Sequence, residues 1–105
     1  MIGLGILLES AKMKIVNKST HNIVVRNETA ARKVAPKEEI NVPEYIFNTQ
    51  SIHSDAGSIE ITTEYCKRSF DCYGGLKAYE NTQIKDDQGL PEIIIVDADP
   101  NKEEN

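Results

Sequence analysis

Cys66, Cys72, His21 and His53 are the side chains of this sequence whose types could do metal or nucleophilic chemistry. Two Cys and two His match the donor count of a tetrahedral zinc site. Their spacing speaks against one. Structural zinc sites carry cysteine pairs two to four residues apart, whereas five residues lie between Cys66 and Cys72 and the two histidines are 32 positions apart. A thiolate–imidazole pair is the other chemistry these types allow, yet neither cysteine has a recognisable catalytic surround. The stretch "YCKRSFDCY" is symmetric about Ser69. A hairpin folding there would set Cys66 opposite Cys72, close enough for a strained disulfide. Nothing in the chain marks an oxidising compartment, so reduced thiols are expected.

The remaining motifs are equally bare. "DDQG" and "EE" are adjacent acids, the pattern of solvated charge rather than of a general acid and base. "YGGLK" lacks the length and the Lys-Ser/Thr ending of a phosphate loop, and there is no GxGxxG. The expectation is a non-enzymatic protein with no catalytic residue, no cofactor and no metal.

The totals bound the object that carries these residues. A chain of 105 residues predicts one domain with one modest core. It is 39% hydrophobic and 28% charged, a globular balance. There is no Trp, with four Tyr and two Phe, so Ile, Val and Leu must supply the core. A net charge of −5 argues against a nucleic-acid binder with a basic face. No apolar run approaches the ~20 residues needed to span a bilayer, so no membrane partner is expected. The opening "MIGLGILLES" has neither a basic region before it nor a small-residue cleavage site after it, and does not read as a signal peptide.

Along the chain, residues 1–12 form an apolar leader broken by Gly3 and Gly5. It reads either as an edge strand or terminal helix over the core, or as an arm that docks on another chain. In the second case Ile2, Leu4, Ile6, Leu7 and Leu8 are the interface candidates. A single β domain is expected over residues 13–98, followed by an acidic tail over 99–105. "MKIVNK" and "NIVVRN" are β-branched strands, joined by polar "STHN" as a hairpin or tight reversal. "RKVAP" and "EEINVP" flank a turn at Pro36, with Ile40 and Val42 on one face. Pro43 to Gly57 reads as a short helix or irregular crossover. "SIEITTEY" alternates Ile59, Ile61, Thr63 and Tyr65 against polar residues. Gly74-Gly75 is a turn signal, "LKAYE" a further strand, and "EIIIVDA" a strand buried on both faces. Six or seven short strands with regular turns predict an all-β fold, a small antiparallel β-sandwich or barrel with one short helix at most.

With the strands placed, "MKIVNKSTHNIVVRN", "KVAPKEEINVPEY" and "SIHSDAGSIEIT" together resemble small phage and prophage virion proteins. The matching elements are Asn17 to Asn22, Val34 to Pro43 and Gly57 to Thr62, about half the chain. The resemblance implies a structural or accessory part of a head, neck, tail or baseplate. Such a part would be homo-oligomeric, would pack against neighbouring virion proteins, and would be assembled in a bacterial host cytoplasm. The acidic balance and tail also fit a different class, a soluble cytoplasmic protein-binding module of the inhibitor or immunity type.

Overall fold

The computed structural model describes residues 12–28, 30–44, 47–65, 67–81 and 91–98. The leader with its five interface candidates and the acidic tail lie outside them, apart from Lys12. Nine strands follow one another: β1 Lys12–Asn17, β2 Ile23–Arg26, β3 Ala31–Val34, β4 Glu39–Pro43, β5 Phe47–His53, β6 Gly57–Glu64, β7 Lys67–Gly74, β8 Leu76–Asn81 and β9 Glu92–Asp97. They form a four-stranded sheet ordered β4-β1-β9-β8 and a five-stranded sheet ordered β3-β2-β5-β6-β7. The fold is all-β, a sandwich of two sheets, with two or three more strands than the sequence pattern predicts.

Between the sheets lies a core of aliphatic side chains. Met13 and Ile15 of β1, Ile23 and Val25 of β2, Ile52 of β5, Ile59 and Ile61 of β6, and Ile93 and Ile95 of β9 are all buried, with Val34, Val42 and Leu76. Each strand contributes alternate residues because successive side chains point to opposite faces. At ~1.5–3 kcal/mol per fully buried aliphatic side chain, this row is the main favourable term. Phe70 packs at its rim, half-buried.

β9 confirms the reading of "EIIIVDA". It sits inside its sheet, parallel to β1 and antiparallel to β8. Ile93 and Ile95 face the core, while Ile94, 2% exposed, lies on the other face beside Val16, its register partner. The β1–β9 pair is the one parallel ladder among the described strands, so the sandwich is not wholly antiparallel.

Three expectations need correction. The "STHN" link does reverse the chain, but β1 and β2 do not pair. They belong to opposite sheets, so the link is a crossover between layers. The segment leading to Gly57 holds a strand, β5, rather than a helix. Its alternation is real but carried by polar groups: Gln50 and Ile52 are buried while Phe47, Thr49 and His53 are exposed. An amide at a core position hides the apolar period. Pro43 closes β4, and Gly57 opens β6. Finally, "CKRSFDCY" does not fold back at Ser69. Lys67 to Gly74 runs as one strand along β6, with Ser69 against Thr62 and Cys72 against Ile59. That removes the geometry that would have opposed Cys66 and Cys72, and Cys66 itself lies outside the described residues.

Two turns show local chemistry. Pro36 and Lys37 form the β3–β4 turn, where Lys37 takes φ 74°, costly for a residue with a Cβ. The Lys37 amide is held by the Asn17 carbonyl at 2.7 Å and the turn is closed by Glu38 N–H to Ala35 O at 3.0 Å. A turn joins β7 to β8 at Gly74-Gly75, where the sequence predicts one. Gly74 has φ 76°, and a Cβ on Gly57 would come within 2.3 Å of the Tyr73 carbonyl, so these chains approach backbone to backbone.

Replacing Ile94 or Ile95 by Asp should abolish cooperative folding. A carboxylate without a partner in either position costs several kcal/mol, a large part of a small domain's stability of about 5–15 kcal/mol. Circular dichroism melts check this. Two soluble, cooperatively melting variants would mean that β9 is not the centre of the fold.

Candidate functional site

The described polar residues that are buried gather at the two ends of the sandwich. At one end Asn17 terminates β1 and is fully buried. Its Nδ2 donates to the carbonyls of His21 at 2.8 Å and Val34 at 3.0 Å. Its Oδ1 accepts from the Ser19 amide at 3.0 Å and the Ser19 hydroxyl at 2.6 Å. One side chain therefore ties the four-stranded sheet to β3 of the five-stranded sheet and shapes the crossover between β1 and β2.

This crossover places His21. Its Nδ1 lies 3.4 Å from Asp55 Oδ1 and its Nε2 3.7 Å from Asp97 Oδ1. Asp97 in turn accepts from the Thr20 amide at 3.1 Å. His53, at the end of β5, lines the same shallow groove with Ser54 and Asp55. The two histidines, far apart in sequence, thus meet at one rim of the molecule. The sequence gives no sign of this, because the meeting depends on β2 and β5 pairing with Val24 against His53.

The groove does not assemble a reactive set. The two nitrogens of His21 face carboxylates from different parts of the chain, Asp55 between β5 and β6 and Asp97 at the end of β9. The Ser54 hydroxyl accepts from the amides of Ala56 at 3.0 Å and Gly57 at 3.1 Å and reaches the Gly57 carbonyl at 3.0 Å, so it closes a turn. Cys72 is a free, exposed thiol on β7. Among the described residues, no three His, Cys, Asp or Glu side chains converge as metal ligands. The adjacent acids Glu38 and Glu39 also have structural partners. Glu38 accepts from the Ala35 amide at 3.0 Å, and Glu39 pairs with Lys14 at 3.2 Å.

The opposite end holds an ionic cluster that sequence reasoning missed. Arg68 of β7 points inward, its side chain 9% exposed. It meets Glu44 in a two-pronged pair, through Nε to Oε2 and through NH2 to Oε1 at 2.7 Å. Its NH1 reaches both oxygens of Glu80 at 3.1 and 3.2 Å. Glu44 also accepts from the Thr63 hydroxyl at 3.1 Å. The hydrogen bond to Glu44 holds the guanidinium above its ordinary pKa despite the opposing cost of burial, with the charges of Glu44 and Glu80 adding to it. Beside this cluster, Gln50 donates to the Pro43 carbonyl at 3.1 Å and accepts from Asn27 at 3.1 Å. The alternation of Arg68 and Phe70 against exposed Lys67, Ser69 and Asp71 along β7 is the available signal, and it is too short to stand out from the sequence alone.

What the surface presents is aromatic and extended. Phe47, Tyr65, Tyr73 and Tyr79 are 50% or more exposed. Phe47 and Tyr65 meet edge to face, with ring centroids 4.8 Å apart. Tyr65, expected on the buried row of β6, instead sits in the turn after it, with φ 51°. No protein-family model matches the chain, and comparison with curated proteins and with solved structures gives no match either.

Two outcomes are expected. Arg68→Met leaves the buried Glu44 without its counter-charge and should cost up to about 3 kcal/mol, read from the urea midpoint. The double variant Glu44→Gln, Arg68→Met should recover part of that loss. A loss below about 1 kcal/mol would mean the cluster behaves as a solvated surface pair. Changing both Cys66 and Cys72 to Ser should shift stability by no more than about 0.5 kcal/mol, with the melt unaffected by chelator. Zinc at one per chain by elemental analysis would contradict this.

Proposed function

We propose that this protein is a non-enzymatic structural or accessory component of a bacteriophage or prophage particle. It acts by packing against copies of itself and against neighbouring virion proteins. One observation carries the reading furthest: among the described residues, the inward polar side chains hold loops and sheet ends, while the outer surface offers a long strand edge without a partner strand and exposed aromatic rings. Such features serve contacts between proteins better than chemistry on a small molecule. The resemblance to small virion proteins points the same way. Its three segments fall on the β1–β2 crossover, on the β3–β4 turn with β4, and on β6.

A second reading is a soluble acidic module that binds one heterologous protein, of the inhibitor or immunity type. The net charge of −5 favours it, since an acidic surface steers association with a basic partner.

The leader separates folding from assembly. Three or four of its Ile and Leu side chains buried on a neighbour would contribute ~1.5–3 kcal/mol each before ordering costs. A chain beginning at Met13 should therefore keep a cooperative melt and lose incorporation into particles, or attachment to a larger partner. Mass spectrometry of purified particles and a pull-down on neighbouring virion proteins measure this. Normal incorporation of the shortened chain would rule out the arm, and loss of folding would assign the leader to the domain's own core. A stable monomer with one tight heterologous partner would favour the second reading.

A further inference from the structure

We propose that the free edge of β7 is a self-pairing surface. Two copies of the chain join antiparallel through β7, centred on Ser69, and extend their five-stranded sheets into one continuous ten-stranded sheet. The proposal rests on the assembly reading and names one partner within it, a second copy of this chain.

Among the described strands, β7 is hydrogen-bonded on one side only, to β6. The ladder between them runs through eight consecutive pairs without a bulge. Natural sheets guard their edges with short strands, proline, bulges or charge. The other outer strand of this sheet, β3, is four residues long and exposes Arg32 and Lys33. In the other sheet, β4 ends in Pro43 and β8 exposes Lys77. β7 has no proline or bulge, and its exposed charges, Lys67 and Asp71, are of opposite sign, so they do not repel a second copy of the same strand. Its inward charge, Arg68, would elsewhere protect an edge, but here Glu44 and Glu80 neutralise it.

The charges on the outer face of β7 point to the occupant. Asp71 stands directly against Glu60 of β6, and both are exposed. Like charges in opposed positions are destabilising, and neither acid has a cation partner among the described residues. Lys67 is exposed on the same face of the same strand. In an antiparallel pair centred on Ser69, Lys67 of each copy stands against Asp71 of the other. Two-fold symmetry makes that contact twice and brings a cation beside each acidic pair. The same register sets Tyr65, in the turn before β7, level with Tyr73 of the second copy. These rings are 68% and 62% exposed, and tyrosines are enriched where proteins meet. The arrangement is self-complementary and closes as a dimer.

Sedimentation of the full chain over a concentration series tests this, with thermal melts to show that each variant is folded. The wild-type chain should form a dimer. Asp71→Lys, which opposes two lysines at both contacts, should raise the dissociation constant by about tenfold or more. The swapped variant Lys67→Asp, Asp71→Lys should restore it. Independently, Ser69→Cys in a chain also carrying Cys66→Ser and Cys72→Ser should give a covalent dimer under mild oxidation. Residues opposed across an antiparallel pair lie about 4.5–5.5 Å apart at Cα, within the span of a disulfide. A chain that stays monomeric at high concentration overturns the proposal. So does a dimer that ignores Asp71→Lys and does not cross-link at position 69, a result that leaves the assembly reading standing. An intact β7 dimer that never enters particles would instead overturn the assembly reading and uphold the edge.

Discussion

A guanidinium at the seam between two sheets has to be neutralised from both of them. Arg68 belongs to the five-stranded sheet, Glu80 to the four-stranded sheet, and Glu44 to the chain that passes from one to the other. The pair is not a cheap source of stability, because burying two charges sacrifices their hydration. Its consequence is register. Side chains alternate along a strand, so a one-residue slip of β7 would turn Arg68 outward and strand Glu44 inside without a counter-charge. The eight-residue ladder between β6 and β7 is therefore fixed at one end by a charge and at the other by the close backbone approach at Gly57 and Gly74.

Asn17 plays the corresponding part at the far end by neutral chemistry. Its amide satisfies two carbonyls and its oxygen accepts from one amide and one hydroxyl, so a fully buried polar side chain carries no unmet desolvation cost. The aliphatic rows between the two ends need only be apolar and about the right size, and many arrangements of Ile and Val would fill that space. The polar ends choose among them. The Arg68 cluster also holds the register of β7 beside β6, and among the described strands the other side of β7 is not hydrogen-bonded.

Elements read correctly from the sequence were those whose alternation is written in aliphatic residues. β1, β4, β6 and β9 declare themselves through Ile15, Ile40, Val42, Ile59, Ile61 and the Ile93–Ile95 run. β5 and β7 did not, because their inward positions hold Gln50 and Arg68, whose burial depends on partners supplied by distant strands. A polar residue at a core position looks like a surface residue until its partner is known, and local pattern cannot supply that partner. Sheet membership failed for a related reason. The "STHN" reversal is visible in the sequence, but whether β2 pairs with β1 or crosses to the other layer depends on β5 and β9, which arrive later in the chain. The candidate site was illegible on both counts: His21 and His53 are brought to one rim by tertiary pairing, and the Arg68 cluster joins three positions 12 to 36 residues apart.

The fold also constrains what kind of assembly the chain can enter. An isologous contact through one strand edge consumes that edge in both copies and then closes. It builds a dimer and cannot by itself extend into a shell, ring or tube. A particle component that used the β7 edge would need a second, heterologous contact elsewhere on the chain. The other strand edges among the described residues carry guards of their own, β3 its brevity with exposed Arg32 and Lys33, β4 its terminal proline and β8 its exposed Lys77. The apolar leader is the segment whose composition would suit that second role, since its Ile and Leu side chains could be buried on a neighbour. Edge and leader would then divide the work. The edge would set a two-fold pair by backbone hydrogen bonding and matched charge, and the leader would join pairs to their surroundings by apolar burial. In that division the register-locked part of the molecule would fix the geometry of the pair, because its strands are held by Arg68 and by the close approach of Gly57 and Gly74.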